Sequence, residues 1–325
     1  MVAPAVTVRP SAGTIGVPIT RGDHVRIGII EGDSPTTTID ELVAKARIAR
    51  EQGFSSFWLS QIFGFDALTA LTVIGREVPD IYLGTGVVPT YPRHPMMLAQ
   101  QALTVQAATN DRLILGIGLS HKLVVESIWG LSFDKPVRHM REYLSVLAPL
   151  LNDRAVDFHG ETISTSAGLT VPPAAAPPVI VAALGTQMLE VAGRLADGTA
   201  TWMTGPKTIE THTVPTIRSA AKEAGRPDPA IAVSLPVCVT DDPADAIERA
   251  NTAFSIYGSL PSYRAMLDRE GCEGPGDVAF VGDEDEVRAR IEHLAEIGVT
   301  DFYAAEFGSE GDEAEATRTL LQSMT

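Results

Sequence analysis

Basic residues are scarce in this 325-residue sequence. Lys and Arg number 25 against 41 Asp and Glu, a formal net charge of −16. Such a surface repels polyphosphates, and no basic run offsets it, so nucleic acid is excluded as a partner. Long apolar runs are missing too: none approaches the roughly 20 residues of a membrane span. The opening MVAPAVTVRPSAGT lacks the apolar core of a secretory signal. There are two cysteines, Cys238 and Cys272, at no metal-binding spacing, one in an expected strand and one in a loop. No disulfide is expected, and a reducing cytoplasm is the compartment that fits. His24, His159, His212 and His293 stand alone, so no metal centre is expected. No GxSxG elbow occurs, and the first expected strand ends in Glu31-Gly32-Asp33 rather than a dinucleotide-binding glycine fingerprint.

What is present is 45% hydrophobic content, enough for one large α/β barrel or two smaller domains. Residues 1–22 are rich in Pro, Gly, Ser and Thr without periodicity and read as an extension; residues 23–325 read as one domain. The spacing predicts strands at Val25–Ile30, Ser56–Leu59, Ile81–Val88, Leu113–Ile117, Pro178–Ala182, Gly198–Trp202, Ile231–Val239 and Thr300–Ala305. Helical patterns alternate with them, as at Ile39–Gln52 with its stripe at 39, 42, 43, 46 and 49. Eight strands alternating with helices over about 300 residues suit a barrel, whose usual size is about 250 residues plus insertions. A doubly wound sheet is the alternative; it would carry phosphate-binding glycines after the first strand. Residues 156–178 read as a hairpin insertion with a proline-rich exit. Pro136–Leu151 reads as an amphipathic helix whose Arg138, His139, Arg141 and Glu142 form solvated or salt-bridged faces.

The organising stretch is Ile81–His121, a strand, a helix and a second strand with glycines at both strand ends, GTGVVP and GIGLSH. Those ends lie on one side of a parallel sheet, the side where function concentrates. Glycines there serve tight turns or admit a ligand to the backbone. The intervening helix, His94–Thr109, is apolar nearly all round, which asks for cover by a second subunit or by an overlying loop. Two further strand ends resemble anion cradles: Ala182-Ala183-Leu184-Gly185-Thr186 before a helix, and Thr204-Gly205 after the sixth strand. A helix N-terminus offers free N–H groups and positive dipole, and Thr186 and Thr204 add hydroxyls. Acid–base candidates near strand ends are His121, Gln61, Glu31, Asp33 and His94, the last read as structural or helix-capping.

The segments Leu83–Pro89 (LGTGVVP), Tyr91–Pro95 (YPRHP) and Leu115–His121 (LGIGLSH) resemble the bacterial luciferase-like family, and within it the oxidoreductases that use the deazaflavin coenzyme F420. The likeness extends over residues 25–324. It implies a luciferase-like (β/α)8 TIM barrel with insertion segments. It implies hydride transfer between F420 and a small organic substrate, with FMN-dependent monooxygenation as the alternative. The homodimer is predicted from the apolar helix His94–Thr109. A barrel that binds a flavin without catalysis is a third reading.

The resemblance also distributes roles. Gly86-Val87 would form a bulge, often with a cis peptide, that backs the cofactor ring, with Thr85, Gly118 and Ser120 beside it. Ala183, Leu184, Gly185 and Thr186, with Met203, Thr204 and Gly205, would hold the phosphate. By loop position alone, Arg93 and Lys207 are rim candidates for the anionic tail of F420. The family's sugar-phosphate dehydrogenases carry His after the second strand and Glu after the fourth; here those places hold Gln61 and His121. Glutamine is no base at ordinary pH, which speaks against sugar-phosphate oxidation. Phe63, Phe65, Trp129, Tyr257 and Tyr263 in the loops point to an apolar or ring-shaped substrate.

Overall fold

The computed structural model describes residues 24–32, 34–172, 174–309 and 311–325; the N-terminal extension and Asp33 lie outside them. β1 (Arg26–Glu31) is followed by α1 (Ile39–Glu51), and β2 (Ser56–Leu59) by α2 (Ala67–Glu77). β3 (Tyr82–Thr85) resumes after two residues as β4 (Val88–Pro89) and leads to α3 (Pro95–Thr109). β5 (Leu113–Gly118) runs through a π-helical turn, Val124–Ile128, into α4 (Pro136–Asn152). An antiparallel hairpin, β6 (Ala155–His159) and β7 (Ser164–Gly168), precedes β8 (Val179–Ala182) and α5 (Thr186–Leu195). β9 (Gly198–Trp202) feeds a continuous helical run of α6 (Pro206–Thr208), a π turn (Ile209–Thr213) and α7 (Val214–Glu223). β10 (Ala230–Ser234) and β11 (Pro236–Val239) lead to α8 (Pro243–Ala253), α9 (Ser255–Ser259) and α10 (Pro261–Glu270). β12 (Phe280–Gly282), α11 (Glu284–Glu296), β13 (Asp301–Glu306) and α12 (Asp312–Ser323) follow.

Eight parallel strands, β1, β2, β3, β5, β8, β9, β10 and β13, pair in that order. β13 returns to β1 in register from Arg26↔Asp301 to Ile29↔Ala304. The sheet is closed, so it is the TIM barrel and not the open doubly wound sheet. The expected single strand Ile231–Val239 is two. β10 stays in the barrel beside β9 and β13, whereas β11 pairs with β13 and β12. The break falls before Pro236, which has no N–H to carry a ladder onward and so opens a new strand.

Alternation within each strand sends one set of side chains outward to the helices and the other into the barrel. Trp58, Ile114, Ile180, Ala200, Ala232 and Tyr303 form the inner cluster, with Ile30 and Val87 packed against it. Trp58 and Tyr303 stack with ring centroids 4.3 Å apart and fill most of the middle. Gly84 faces them: a Cβ there would lie 2.1 Å from the Trp58 ring. The N-terminal end is closed by the ion pair of Arg26 and Asp301, 2.7 Å apart.

The helical face at 138–142 departs from the expectation. Arg138 does pair with Glu161 at the surface, but His139 is half-buried and Glu142 is buried. The His139 ring stacks on Tyr91 at 4.1 Å and 3°, and its Nε2 lies 3.0 Å from Thr90 Oγ1. Burial pushes the imidazole down to about 4. The Glu142 carboxylate accepts from the amides of Glu161, Thr162 and Ile163 and from the Thr162 hydroxyl. Burial opposes its charge, but those donors outweigh burial and hold it near 2. The hairpin turn and the β4–α3 loop lie over this face, contacts that helical spacing alone does not reveal.

α3 is N-capped by His94, whose Nδ1 accepts from the Met96 amide, with Pro95 in the first turn. Leu98, Ala99, Ala102, Leu103 and Val105 are buried. Met97, Gln100, Gln101, Thr104 and Ala107 remain exposed, and the helix has no charged residue. Among the described residues no helix is long and apolar enough to cross a membrane.

Candidate active site

The C-terminal ends of the barrel strands bring together most of the candidate residues, and they do so by alternation. Ile30, Ala182 and Trp202 each stand two residues beyond an inward-facing position. They therefore form the top layer of the interior. Beside them the Gly86–Val87 peptide is cis. The Val87 side chain leans over β5: a Cβ on Gly118 would lie 2.7 Å from Val87 Cγ2 and 3.2 Å from the Ala182 Cβ. Gly86, Val87, Gly118 and Ala182 thus make a flat floor with no polar side chain. Thr85 does not reach it. Its Oγ1 donates to the Gly116 carbonyl and accepts the Gly116 amide, both at 2.8 Å, tying β3 to β5.

Beyond β5 the backbone turns sharply at Ser120, which is left-handed at φ 61°. The turn presents His121. Its ring lies 5.7 Å from that of Tyr263 on α10. Burial lowers the His121 pKa, so the imidazole is neutral near pH 7 and ready to accept a proton. Tyr263 meets Tyr257 edge-on at 4.9 Å, and Tyr257 meets Trp202 edge-on at 5.8 Å. The segment 255–270 therefore arches from the end of β5 to the end of β9. Burial, with Tyr257 and Tyr303 nearby, raises the Tyr263 pKa and keeps its hydroxyl protonated.

Two other acid–base candidates face elsewhere. Glu31 is one residue past the inward Ile30, hence outward, and it pairs with Lys45 of α1 at 2.7 Å. Strand alternation carried that signal. Gln61 caps the start of α2: its Oε1 accepts the Ala67 amide and its Nε2 donates to Asp66. Asp66 is the α2 N-cap and is paired with Arg93, so Arg93 is held on the β2 side of the rim.

The two cradle candidates differ. At the end of β8, Ala183 is buried while Gly185, Thr186 and Gln187 are exposed at the first turn of α5. A Cβ on Gly185 would meet nothing within 4 Å, so space lies open before the helix. The loop is steadied from behind by His212, whose Nε2 donates to the Leu184 carbonyl at 2.9 Å. At the end of β9, Met203 is left-handed at φ 51° and Thr204 is fully buried, its Oγ1 donating to the Trp202 carbonyl. The helix that follows is already occupied. Glu270 accepts the Lys207 amide at 3.1 Å and the Thr208 amide at 2.7 Å, and Lys207 Nζ donates to the Glu270 carbonyl. Gly205 makes room for that carboxylate: a Cβ there would lie 2.3 Å from Glu270 Cδ. Glu270 and His212 gave no signal in the sequence, because their partners are 63 and 28 residues away.

A flat apolar floor, a neutral imidazole beside it and an open helix N-terminus on the same barrel end fit a planar ring with a phosphate side chain. Among the described residues no cluster of three or more His, Cys, Asp or Glu could hold a metal.

The family model described as luciferase-like monooxygenase matches residues 25–301. A 5,10-methylenetetrahydromethanopterin reductase of Methanolobus tindarius is 27% identical over 299 residues, 83% of this chain and 91% of the relative. The solved coenzyme F420-dependent tetrahydromethanopterin reductase of Methanopyrus kandleri superposes with a TM-score of 0.76 at 24% identity, covering 93% of this chain and 98% of that one. The oxygenating constituent of 3,6-diketocamphane monooxygenase from Pseudomonas putida, solved with FMN, superposes with a TM-score of 0.72 at 17% identity, covering 92% and 96%.

Proposed function

This chain belongs to the luciferase-like monooxygenase family, and from that premise we propose that it is an F420-dependent oxidoreductase acting on a small organic substrate. The observation that carries the reading is the placement of His121 beside the floor of Gly86, Val87, Gly118 and Ala182, on the same barrel end as the open N-terminus of α5. The fold shared with the coenzyme F420-dependent reductase of Methanopyrus kandleri supports the choice of cofactor, and the Methanolobus tindarius relative supports a reductase chemistry. F420 has carbon where a flavin has N5 and, when bound, supplies or takes up a hydride.

The chain's own residues then divide the work. Val87 backs the ring, with Gly118 and Ala182 leaving room for it. The amides of Thr186 and Gln187 and the Thr186 hydroxyl hold the phosphate, flanked by Ala183, Leu184 and Gly185 and, across the gap, by Met203, Thr204 and Gly205. Ser120 aims His121, whose imidazole takes a proton from the substrate hydroxyl in the oxidative direction and returns it in the reductive one. The arch of Tyr257 and Tyr263 excludes water.

Fluorescence titration of the purified protein with F420 and FMN tests the cofactor. F420 should bind at least about tenfold tighter, a difference of ~1.4 kcal/mol. Tighter FMN binding with oxygen-dependent turnover would establish the monooxygenase instead. His121→Ala should lower turnover about 100-fold with cofactor affinity little changed. In the oxidative direction wild-type rate should fall as pH drops through a pKa below 6.5, since protonated His121 accepts nothing; the variant should lose that limb.

We also propose a homodimer through α3. Its outer face of Met97, Gln100, Gln101, Thr104 and Ala107 carries no charge, which favours a self-complementary contact. Sedimentation at micromolar protein should give about twice the 34.5 kDa chain mass; a monomer would remove the proposal.

A further inference from the structure

Ten large apolar side chains are exposed among the described residues, and seven of them lie in segments following β2, β5 and β11, at the mouth of the barrel. Chance would scatter them over the whole surface; a concentration of exposed apolar groups at one concave place marks binding. The clearest grouping is on the π turn after β5. Leu123 and Ile128 are five residues apart, the repeat of a π turn, so they share one face, and they are 62% and 57% exposed. Only Val125 of that turn is buried. After β2, Ile62 and Phe65 are likewise exposed. The arch of residues 255–270 spans the ends of β5 and β9 through Tyr263 and Tyr257, across the barrel end from the loop after β2.

Several cations at this end of the barrel already have partners. Arg93 is paired with Asp66, Lys122 with Glu126, Arg264 with Asp268, and Lys207 donates to the Glu270 carbonyl. His121 is kept neutral by its burial. The apolar side chains named above offer no charge to a phosphorylated or carboxylated substrate and no hydroxyl to a sugar.

We infer that the substrate of this site is an uncharged, predominantly apolar molecule, whose body is gripped between Leu123 and Ile128 on one side and Ile62 and Phe65 on the other. The inference rests on the proposed redox site only for where the reacting atom sits, beneath the slot near His121. The lining decides the occupant: Leu123, Ile128, Ile62 and Phe65 are exposed apolar groups, and beyond them the His121 ring meets Tyr263 beside Val87.

The test is calorimetric binding of cycloalkanones from cyclopentanone to cyclododecanone, with glucose and glucose 6-phosphate as controls, to cofactor-loaded and cofactor-free protein. Affinity should rise about three- to fourfold per added methylene, and neither sugar should bind. The double variant Leu123→Ser/Ile128→Ser should flatten that dependence and weaken the largest ketone at least about tenfold, while cofactor affinity stays within about twofold. Leu123→Met/Ile128→Val should restore the dependence. A flat series, equal binding of the sugars, or a serine variant that differs from wild type only in its oligomeric state overturns the inference. Should neither F420 nor FMN bind while the ketone series keeps its slope, the cofactor reading fails and this inference stands.

Discussion

The ends of β8 and β9 look alike in sequence, each a Gly-containing loop opening a helix with a threonine beside it, yet they meet the solvent differently. At β8 the first amides of α5 face open space, with Gly185 and Thr186 exposed. At β9 the first amides of the helical run are filled by the Glu270 carboxylate from the end of α10, and Thr204 is buried. One end leaves its first amides open and the other has them satisfied by an anion of the chain itself. A helix N-terminus is a binding site only if nothing in the fold has already answered its unpaired donors.

Placing a carboxylate at the open end should erase the difference. Gly185→Asp is sterically free, and Asp is a favourable N-cap, so the fold should survive. Cofactor affinity should fall at least about 100-fold by charge repulsion at close range, read by fluorescence titration beside a thermal melt. An unchanged affinity would mean that the phosphate lies elsewhere. Thr186→Val and Thr204→Val sharpen the contrast with a smaller change. Loss of one hydroxyl bond to an anion should weaken binding about tenfold for Thr186, whereas Thr204, buried and bonded to the Trp202 carbonyl, should alter it less than about twofold. Equal effects would make the two ends one cradle. Smallest is the response to Glu270→Gln. Losing the charged cap should cost about 1 kcal/mol, a drop of about 1–2 °C in Tm for a chain of this length, and removing its charge should tighten cofactor binding by about threefold. Weaker binding in that variant would show that Glu270 supports the anion instead of standing apart from it.

The barrel itself was legible because strands and helices announce themselves through two different periods. Each of the eight expected barrel strands has its counterpart, and the His94 cap and Pro95 fix the start of α3 where the sequence implies. The floor was legible only through resemblance; composition alone gives no reason to single out Gly86-Val87. Alternation, applied from Ile30, would have turned Glu31 outward and removed it from the acid–base set. Other features lay beyond any local pattern. Nothing near Gln61 reveals that Asp66 and the Ala67 amide take its amide group, and nothing near Glu142 foretells the hairpin turn that closes over it. The split at Leu235 depends on a proline whose consequence is felt only because β12 offers an alternative neighbour.

The stacked pair of Trp58 and Tyr303 has a bearing on how such a protein could change. Two rings occupy space that Gly84, Ala200 and Ala232 leave free, so the depth of the cavity is set by two residues and not by the loops. Loop variation can widen or narrow the entrance but cannot lower the bottom. A lineage, or a mutant library, that exchanged Trp58 and Tyr303 for small residues would gain a shaft toward the far end of the barrel, with the start of α5 and His121 untouched. Reach into the molecule and choice at its rim can then evolve separately, each under its own set of substitutions.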